Sequence, residues 1–377
     1  MWRPLGPLLL TFLLLSLRTG AQQYDLRTLS IEQGLPSASV YALCEDRDGF
    51  LWVGTAQGAA RSEGLRFETL GKEQGLGGDD ATAIHCDPHG RIWMGSGNGA
   101  ISVWEEGRLR TVRAGARDGT VRALVSDGED LWWASGGAGV WHLSATGGAQ
   151  ELEGLPTRSV YALVRDVRGV LLAGTDSGLF AWRGQRWEPA LPKALLPASR
   201  VRALVADSVG VLVGTPAGFV ELDRDLRPLP LAQRALGAYP LVVPDVRIFS
   251  LLRARNGDLW LGTPGGLIHI SKSAGVPRIA TLREANGLGH DFVRCIMQDR
   301  SGSVWAGTGY GGVSRYTSDA FLHFTERDGL GSRTVSSIHR TPDRYLYIGT
   351  MGGGVAVGMG SWWNRSARPK AWTIPSW

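Results

Sequence analysis

Seven polar side chains recur in the loops that lead into one repeated strand: Asp79, Asp80, Arg158, Arg200, His290, Asp291 and Arg333. Carboxylate, guanidinium and imidazole groups can recognise a polar small molecule or an oligosaccharide through charge-assisted hydrogen bonds. These residues vary between loops whose flanks stay constant. That is how a recognition surface is carried on a fixed scaffold, although solvated loop charges would look the same. Other residues invite chemistry and lose it on inspection. Trp52, Trp93, Trp132, Trp260 and Trp305 could stack on sugar rings, but they hold one fixed repeat position, as core aromatics do. Asp46, Asp87, Asp166, Asp207 and Asp299 could pair for acid/base work, but each stands where the chain turns and an aspartate caps its own backbone. His85 and His89 occur together in one repeat only, with no third ligand in sight, so no metal site is assigned. No catalytic residue and no cofactor is assigned either.

The elements that must position these residues come from a repeat. Asp48-Gly49-Phe50-Leu51-Trp52-Val53-Gly54-Thr55 reads as a tight turn, a short apolar strand and a second turn marked by Gly58. Versions of it end at Ser96, Ser135, Thr175, Thr215, Thr263, Thr308 and Thr350. The Gly-Thr positions are spaced by 41, 39, 40, 40, 48, 45 and 42 residues. A period of about 40–45 residues with several short strands per unit indicates a β-propeller of four-stranded antiparallel blades.

Each unit also carries an upstream strand, first seen as Val40-Tyr41-Ala42-Leu43. Its third residue is always small: Ala42, Ala83, Ala123, Ala162, Ala203, Ser250, Cys295 and Ser337. Blades converge on the propeller axis, so this is the expected innermost strand, with the tryptophans one strand out between blades. Leu172 and Leu212 replace tryptophan in the fourth and fifth units, and the third has Ala134-Ser135 for Gly-Thr. The sixth unit carries an insertion, residues 232–245, a longer loop of the kind in which binding tends to sit.

Composition fits this picture. The 377 residues include 53 glycines without a collagen period, and 43% are apolar. The net charge of +5 is scattered and implies no nucleic-acid partner. Residues 1–21 read as a signal peptide. Arg3 precedes the 13-residue stretch Leu5 to Leu17, too short to span a bilayer, and Thr19-Gly20-Ala21 is a cleavage site. The expected location is therefore periplasmic or extracellular. Three cysteines, Cys44, Cys86 and Cys295, make no disulfide framework and read as small buried hydrophobes.

The stretch Gly34 to Gly58, GLPSASVYALCEDRDGFLWVGTAQG, resembles the two-component regulator propeller repeat, and the resemblance extends over residues 24–358. Such repeats build the extracytoplasmic sensor region of hybrid histidine kinases and of related membrane-bound signalling proteins. The resemblance implies a seven-bladed ring with the eighth repeat starting a second propeller, a bound ligand, and self-association as in dimeric sensors. An eight-bladed ring is the alternative. In it, Tyr24 to Ile31 would join the blade holding Tyr345 to Gly358. Kinase motifs are absent, and Asp-x-Gly-x-x-Trp resembles the Asp-box turn of sialidases, which is structural there too. The expected function is a non-enzymatic sensor propeller. The alternatives are a secreted propeller hydrolase or lyase acting on glycans and a periplasmic protein-interaction propeller. Residues 359–377 break the pattern. Back-translated with GC-rich codons and shifted by two bases, the tail reads like the missing Gly-Leu loop. The expectation is a frameshift that removed further propeller, a membrane helix and an output domain, so that the membrane is reached only through that missing segment.

Overall fold

The computed structural model describes residues 26–63, 66–115, 119–144, 146, 148–230, 247–273, 276–317, 330–341 and 345–359. The signal peptide, the 232–245 insertion and the irregular tail all lie outside the described residues. The chain divides into two compact units, residues 1–318 and 319–377.

The described structure is all-β, with eight antiparallel sheets arranged as propeller blades are. The first sheet is built from Val40–Glu45, Leu51–Thr55, Gly58–Glu63 and Arg66–Leu70, each strand paired with the next. Sheets two to six follow in the same order, sheet five with three strands among the described residues, and their inner strands are Ala83–Cys86, Val121–Asp127, Val160–Arg165, Ala203–Ala206 and Ser250–Arg253. Sheet seven runs from Val293–Gln298 through Val304–Thr308 to Val313–Tyr316, and its fourth strand is Leu26–Leu29 from the other end of the chain. Leu26 pairs with Tyr316 and Leu29 with Val313. The N-terminal strand thus joins the blade of Trp305. It does not join the blade of Tyr345 to Gly358, as the eight-bladed alternative requires. Sheet eight, Val335–Arg340, Tyr345–Thr350 and Gly354–Met359, belongs to the second unit.

The motif residues do three jobs in this arrangement. First, the aspartate builds the turn and anchors the tryptophan. Asp46 Oδ1 accepts the backbone N–H groups of Asp48 and Phe50, while its Oδ2 accepts the Trp52 indole N–H at 2.7 Å. Asp87 with Trp93 and Asp299 with Trp305 repeat the pairing. Second, the threonine closes the next turn. Thr55 Oγ1 donates to Gly58 O at 2.9 Å, with Gly58 in the left-handed region at φ 108°. Third, the motif glycine makes room for the neighbouring blade. A Cβ on Gly95 would stand 2.2 Å from Val121 of sheet three, and one on Gly307 would stand 2.5 Å from Val40 of sheet one. The Gly307 contact closes a ring of seven sheets inside the first unit.

The cores lie between blades. Trp52 packs with Leu76, Ala81, Ile92 and Met94 of the second repeat, and Trp260 with Val293, Val304 and Tyr316 of sheet seven. Leu172 and Leu212 do the same work at their interfaces. Trp132 and Trp305 are only half-buried. Trp132 stacks on His142, and Trp305 lies beneath the Arg315 guanidinium.

The cysteine expectation is overturned. Cys44 and Cys86 form a disulfide between the inner strands of sheets one and two, with Cα atoms 6.0 Å apart. The two lie 42 residues apart in sequence, about one repeat. Adjacent inner strands therefore bring them together, which spacing rules for small disulfide scaffolds do not foresee. Cys295 remains a free thiol.

Candidate binding site: an arginine–aromatic collar

The inner strands of sheets one, three, four and seven start with a β-bulge. In sheet one, Val40 pairs with Thr55 and Ala42 with Gly54, so Tyr41 is the extra residue. Arg122, Tyr161 and Arg294 occupy the same bulge in sheets three, four and seven. A bulge re-aims the side chain it carries. Here the bulged position points its side chain into a shared cavity of about 470 Å³. That cavity is lined by Tyr41, Arg122, Tyr161 and Arg294, second in their inner strands, and by Thr82, Arg202 and Phe249, which occupy the same repeat position just before the inner strands of sheets two, five and six. Asp80, Thr120, Val121 and Phe292 complete the lining.

Cations and rings alternate around this collar. The Arg122 guanidinium lies 5.1 Å from the Tyr161 ring centre. Arg202 lies 5.4 Å from Tyr161 and 4.9 Å from Phe249. Phe249 meets Phe292 edge-on at 5.0 Å. Arg294 lies 4.9 Å from both Phe292 and Tyr41. Cation–π contact of this kind holds a guanidinium in place while leaving its N–H groups free at the plate edge. Elsewhere arginines are paired with carboxylates, as Arg91 is with Asp87 and Arg253 with Glu221. Arg294 Nε, by contrast, is buried without a hydrogen-bond partner among the described residues. Burial, and the neighbouring charges of Arg200, Arg122 and Arg247, push the Arg202 pKa below the usual guanidinium value. Like charges crowd here.

The residues expected from sequence scatter around this feature. Asp80 lines the cavity, and its Oδ1 accepts the Gly97 N–H at 2.7 Å. Arg200 stands at the rim, where its Nε donates to Asp176 Oδ1 at 2.7 Å. The Tyr161 hydroxyl donates to the same oxygen at 3.0 Å. Burial pushes the Asp176 carboxyl up, but these two hydrogen bonds outweigh it and hold the pKa below the ordinary value. Asp79 is exposed and pairs with Lys72 at 2.6 Å. Arg158 pairs with Glu151 over a separate polar cavity of about 330 Å³. His290 meets Tyr310 edge-on, and its Nδ1 accepts the Phe292 N–H. Asp291 and Glu284 exchange hydrogen bonds with each other's backbone N–H groups. Arg333 lies in the second unit. The structure therefore brings Asp80 and Arg200 to the collar and does not gather Arg158 and His290 into one site. His85 hydrogen-bonds Ser126, and no group of three metal-ligating residues occurs among the described residues.

In the sequence the collar residues adjoin the small third residue, and that small residue is the constant feature of the repeat. The available signal was the second position itself, which varies between arginine and aromatic types while its neighbours stay constant.

A family model, two component regulator propeller, matches residues 34–57, 243–265 and 287–310. Three segments of the chain thus carry that repeat. No curated protein matches it in sequence. Among solved structures, it is similar to the extracellular domain of Bacteroides thetaiotaomicron BT3049, described as a hybrid two component system. The TM-score is 0.67 and the identity 22%, over 89% of this chain and 48% of that one. The extracellular domain of BT4673 from the same organism aligns at TM-score 0.65 and 19% identity, over 90% of this chain and 46% of that one. The chain thus spans about half the length of these extracellular domains. Streptogramin B lyase aligns at TM-score 0.63 and 14% identity, over 78% of this chain and 97% of that one. Identities this low establish a shared fold.

Proposed function

We propose that the chain is an extracytoplasmic, ligand-binding sensor propeller of a two-component-type signalling protein, and that its ligand sits in the collar. The observation that carries this reading is the alternating ring of three arginines and four aromatics around a cavity of about 470 Å³. Ligand sites are typically concave, apolar-walled and furnished with a few convergent polar groups. The repeat family and the similarity to sensor domains support the signalling role. Supporting the compartment is the Cys44–Cys86 disulfide, since such bonds persist outside the reducing cytoplasm. Among the described residues, no helix is long and apolar enough to cross a membrane. We read the propeller as one part of a longer signalling protein, on the partial coverage of the sensor domains. Translating the downstream DNA in all frames tests that part.

The enzyme alternative draws on the likeness to a propeller lyase. The cavity lining, with one carboxylate against three guanidiniums, suits holding better than two-carboxylate hydrolysis. A thermal-shift screen of small metabolites and oligosaccharides separates the readings. The sensor reading expects a stabilising compound that is recovered chemically unchanged and whose effect is lost in Tyr161→Ala. Turnover of the compound would sink it in favour of the enzyme. A hit indifferent to Tyr161 would move the site away from the collar.

A further inference from the structure

The collar's charge balance says more than that something binds there. This step rests on the sensor reading above. Its arginines are Arg122, Arg202 and Arg294, and none of the three guanidinium groups makes a hydrogen bond or ion pair among the described residues. Only Asp80 opposes them in the lining, so the arithmetic is three positive charges minus one, or +2. Asp80 is itself turned to the Gly97 N–H. Cations that share a cavity without carboxylate partners repel one another, and the protein holds them together only by ring contacts. Such contacts contribute about 0.5–1 kcal/mol each at exposed sites, too little to replace a counter-charge. An anion bridging the guanidinium edges would supply it, in the bidentate geometry that arginine prefers. The three guanidiniums come from repeats three, five and seven, so they approach from different sides of the cavity. Two acidic groups match both this spread and the net charge of +2.

We propose that the collar binds a small organic dianion whose two acidic groups, carboxylate, sulfate or phosphate, reach separate guanidiniums, with its carbon frame lying between the aromatic rings.

The test is isothermal titration of the full chain with three anions that each carry two acidic groups, here called dianions for their paired groups: phthalate, fructose 1,6-bisphosphate and a disulfated disaccharide. Their uncharged frames, phthalamide, fructose and the unsulfated disaccharide, are titrated alongside. The acidic group present in whichever probe binds identifies the source. The expected result is binding by at least one dianion and none by its frame. Affinity should fall about tenfold or more in Arg202→Gln, as the loss of a charge-assisted pair implies. It should also weaken with added salt. Arg122→Gln, at an exposed side chain, repeats the test should the Arg202 variant fold poorly. Arg186→Gln, on an outer strand, should change nothing. Uncharged frames that bind as well as their dianions, or binding that survives both collar variants, would overturn the dianion while leaving a binding propeller. Silence from all three dianions at about 1 mM would overturn it too. A Tyr161-dependent hit in the thermal-shift screen would then show that the sensor reading had survived alone.

Discussion

Single residues in this protein act through what they touch in the next blade. Trp260 is 2% exposed, stacked on His269 at 3.9 Å and tilted against Tyr316 at 4.9 Å. Trp260→Ala should cost about 3–5 kcal/mol in denaturant unfolding, as large-to-small core changes do. An unchanged midpoint would mean the tryptophan set is not core. Asp87 is buried beside Arg91, 2.6 Å away, and Trp93. Burial pushes its carboxyl up, but the hydrogen bonds from Arg91 and Trp93 prevail and hold the pKa below the ordinary value of 3.8. A folded pKa below the unfolded one contributes stability that is complete above the unfolded value. That stability is lost as pH falls through the folded value. Asp87→Asn should therefore destabilise the protein near neutrality and flatten the acid limb of its stability curve below the ordinary carboxylate value. An acid limb that stays as steep would show the pair to be silent. Cys295 gives the opposite case. Burial pushes its thiol up to about 12, so it should resist maleimide in the folded chain at neutral pH and react once unfolded.

At the scale of elements, the inner strand carries two devices, its opening bulge and its fit against the next blade's valine. Gly307 faces Val40 across the seam where the ring closes, with Cys295 Sγ 2.4 Å from where a Cβ would stand. Gly307→Ala overpacks that seam and should lose about 1–3 kcal/mol. Ala134 already stands at the equivalent position in sheet three, packed near Val160, so one blade tolerates the larger residue. If Gly307→Ala is neutral as well, the glycine reflects the turn and not the seam. The Cys44–Cys86 bond ties the inner strands of the first two blades. Its reduction should lower stability by about 2–4 kcal/mol, read as a shifted urea midpoint with and without reductant.

For the whole first unit, closure depends on a strand contributed from the far end of the chain. Leu29 is buried at 5% exposure with Leu35, Val40 and Val313. Leu29→Ala should cost about 2–5 kcal/mol and speed exchange of the sheet-seven amide protons, since it loosens the latch. Exchange that quickens equally in every blade would argue against a latch. Sheet eight belongs to the second unit. The atoms nearest a Cβ at its motif glycine, Gly349, are Ser337 and Ser336 of its own sheet, where Gly307 meets Val40. Its Ile338 and Val355 are 66% and 48% exposed.

What the sequence determined alone was everything carried by short-range recurrence. The repeat period set the blades. Asp46 with Trp52, and Thr55 with Gly58, are contacts between residues a few positions apart, so their spacing already encoded them. The small third residue of each inner strand marked the axis. Only the tertiary structure decided the rest. Whether Leu26–Leu29 would pair with Val313–Tyr316 or with the eighth repeat depends on how far the ring turns before it meets its start. No local pattern carries that. Cys44 and Cys86 look isolated in a linear chain because one whole blade separates them, yet side-by-side inner strands place them within bonding reach. The collar is the clearest case. Arg122, Tyr161, Arg202, Phe249 and Arg294 stand in plain view in the repeats, but alternation along a regular strand does not aim them into the cavity. A bulge of one residue turns Arg122, Tyr161 and Arg294 there, and only the closed ring brings their charges and those of Arg202 face to face.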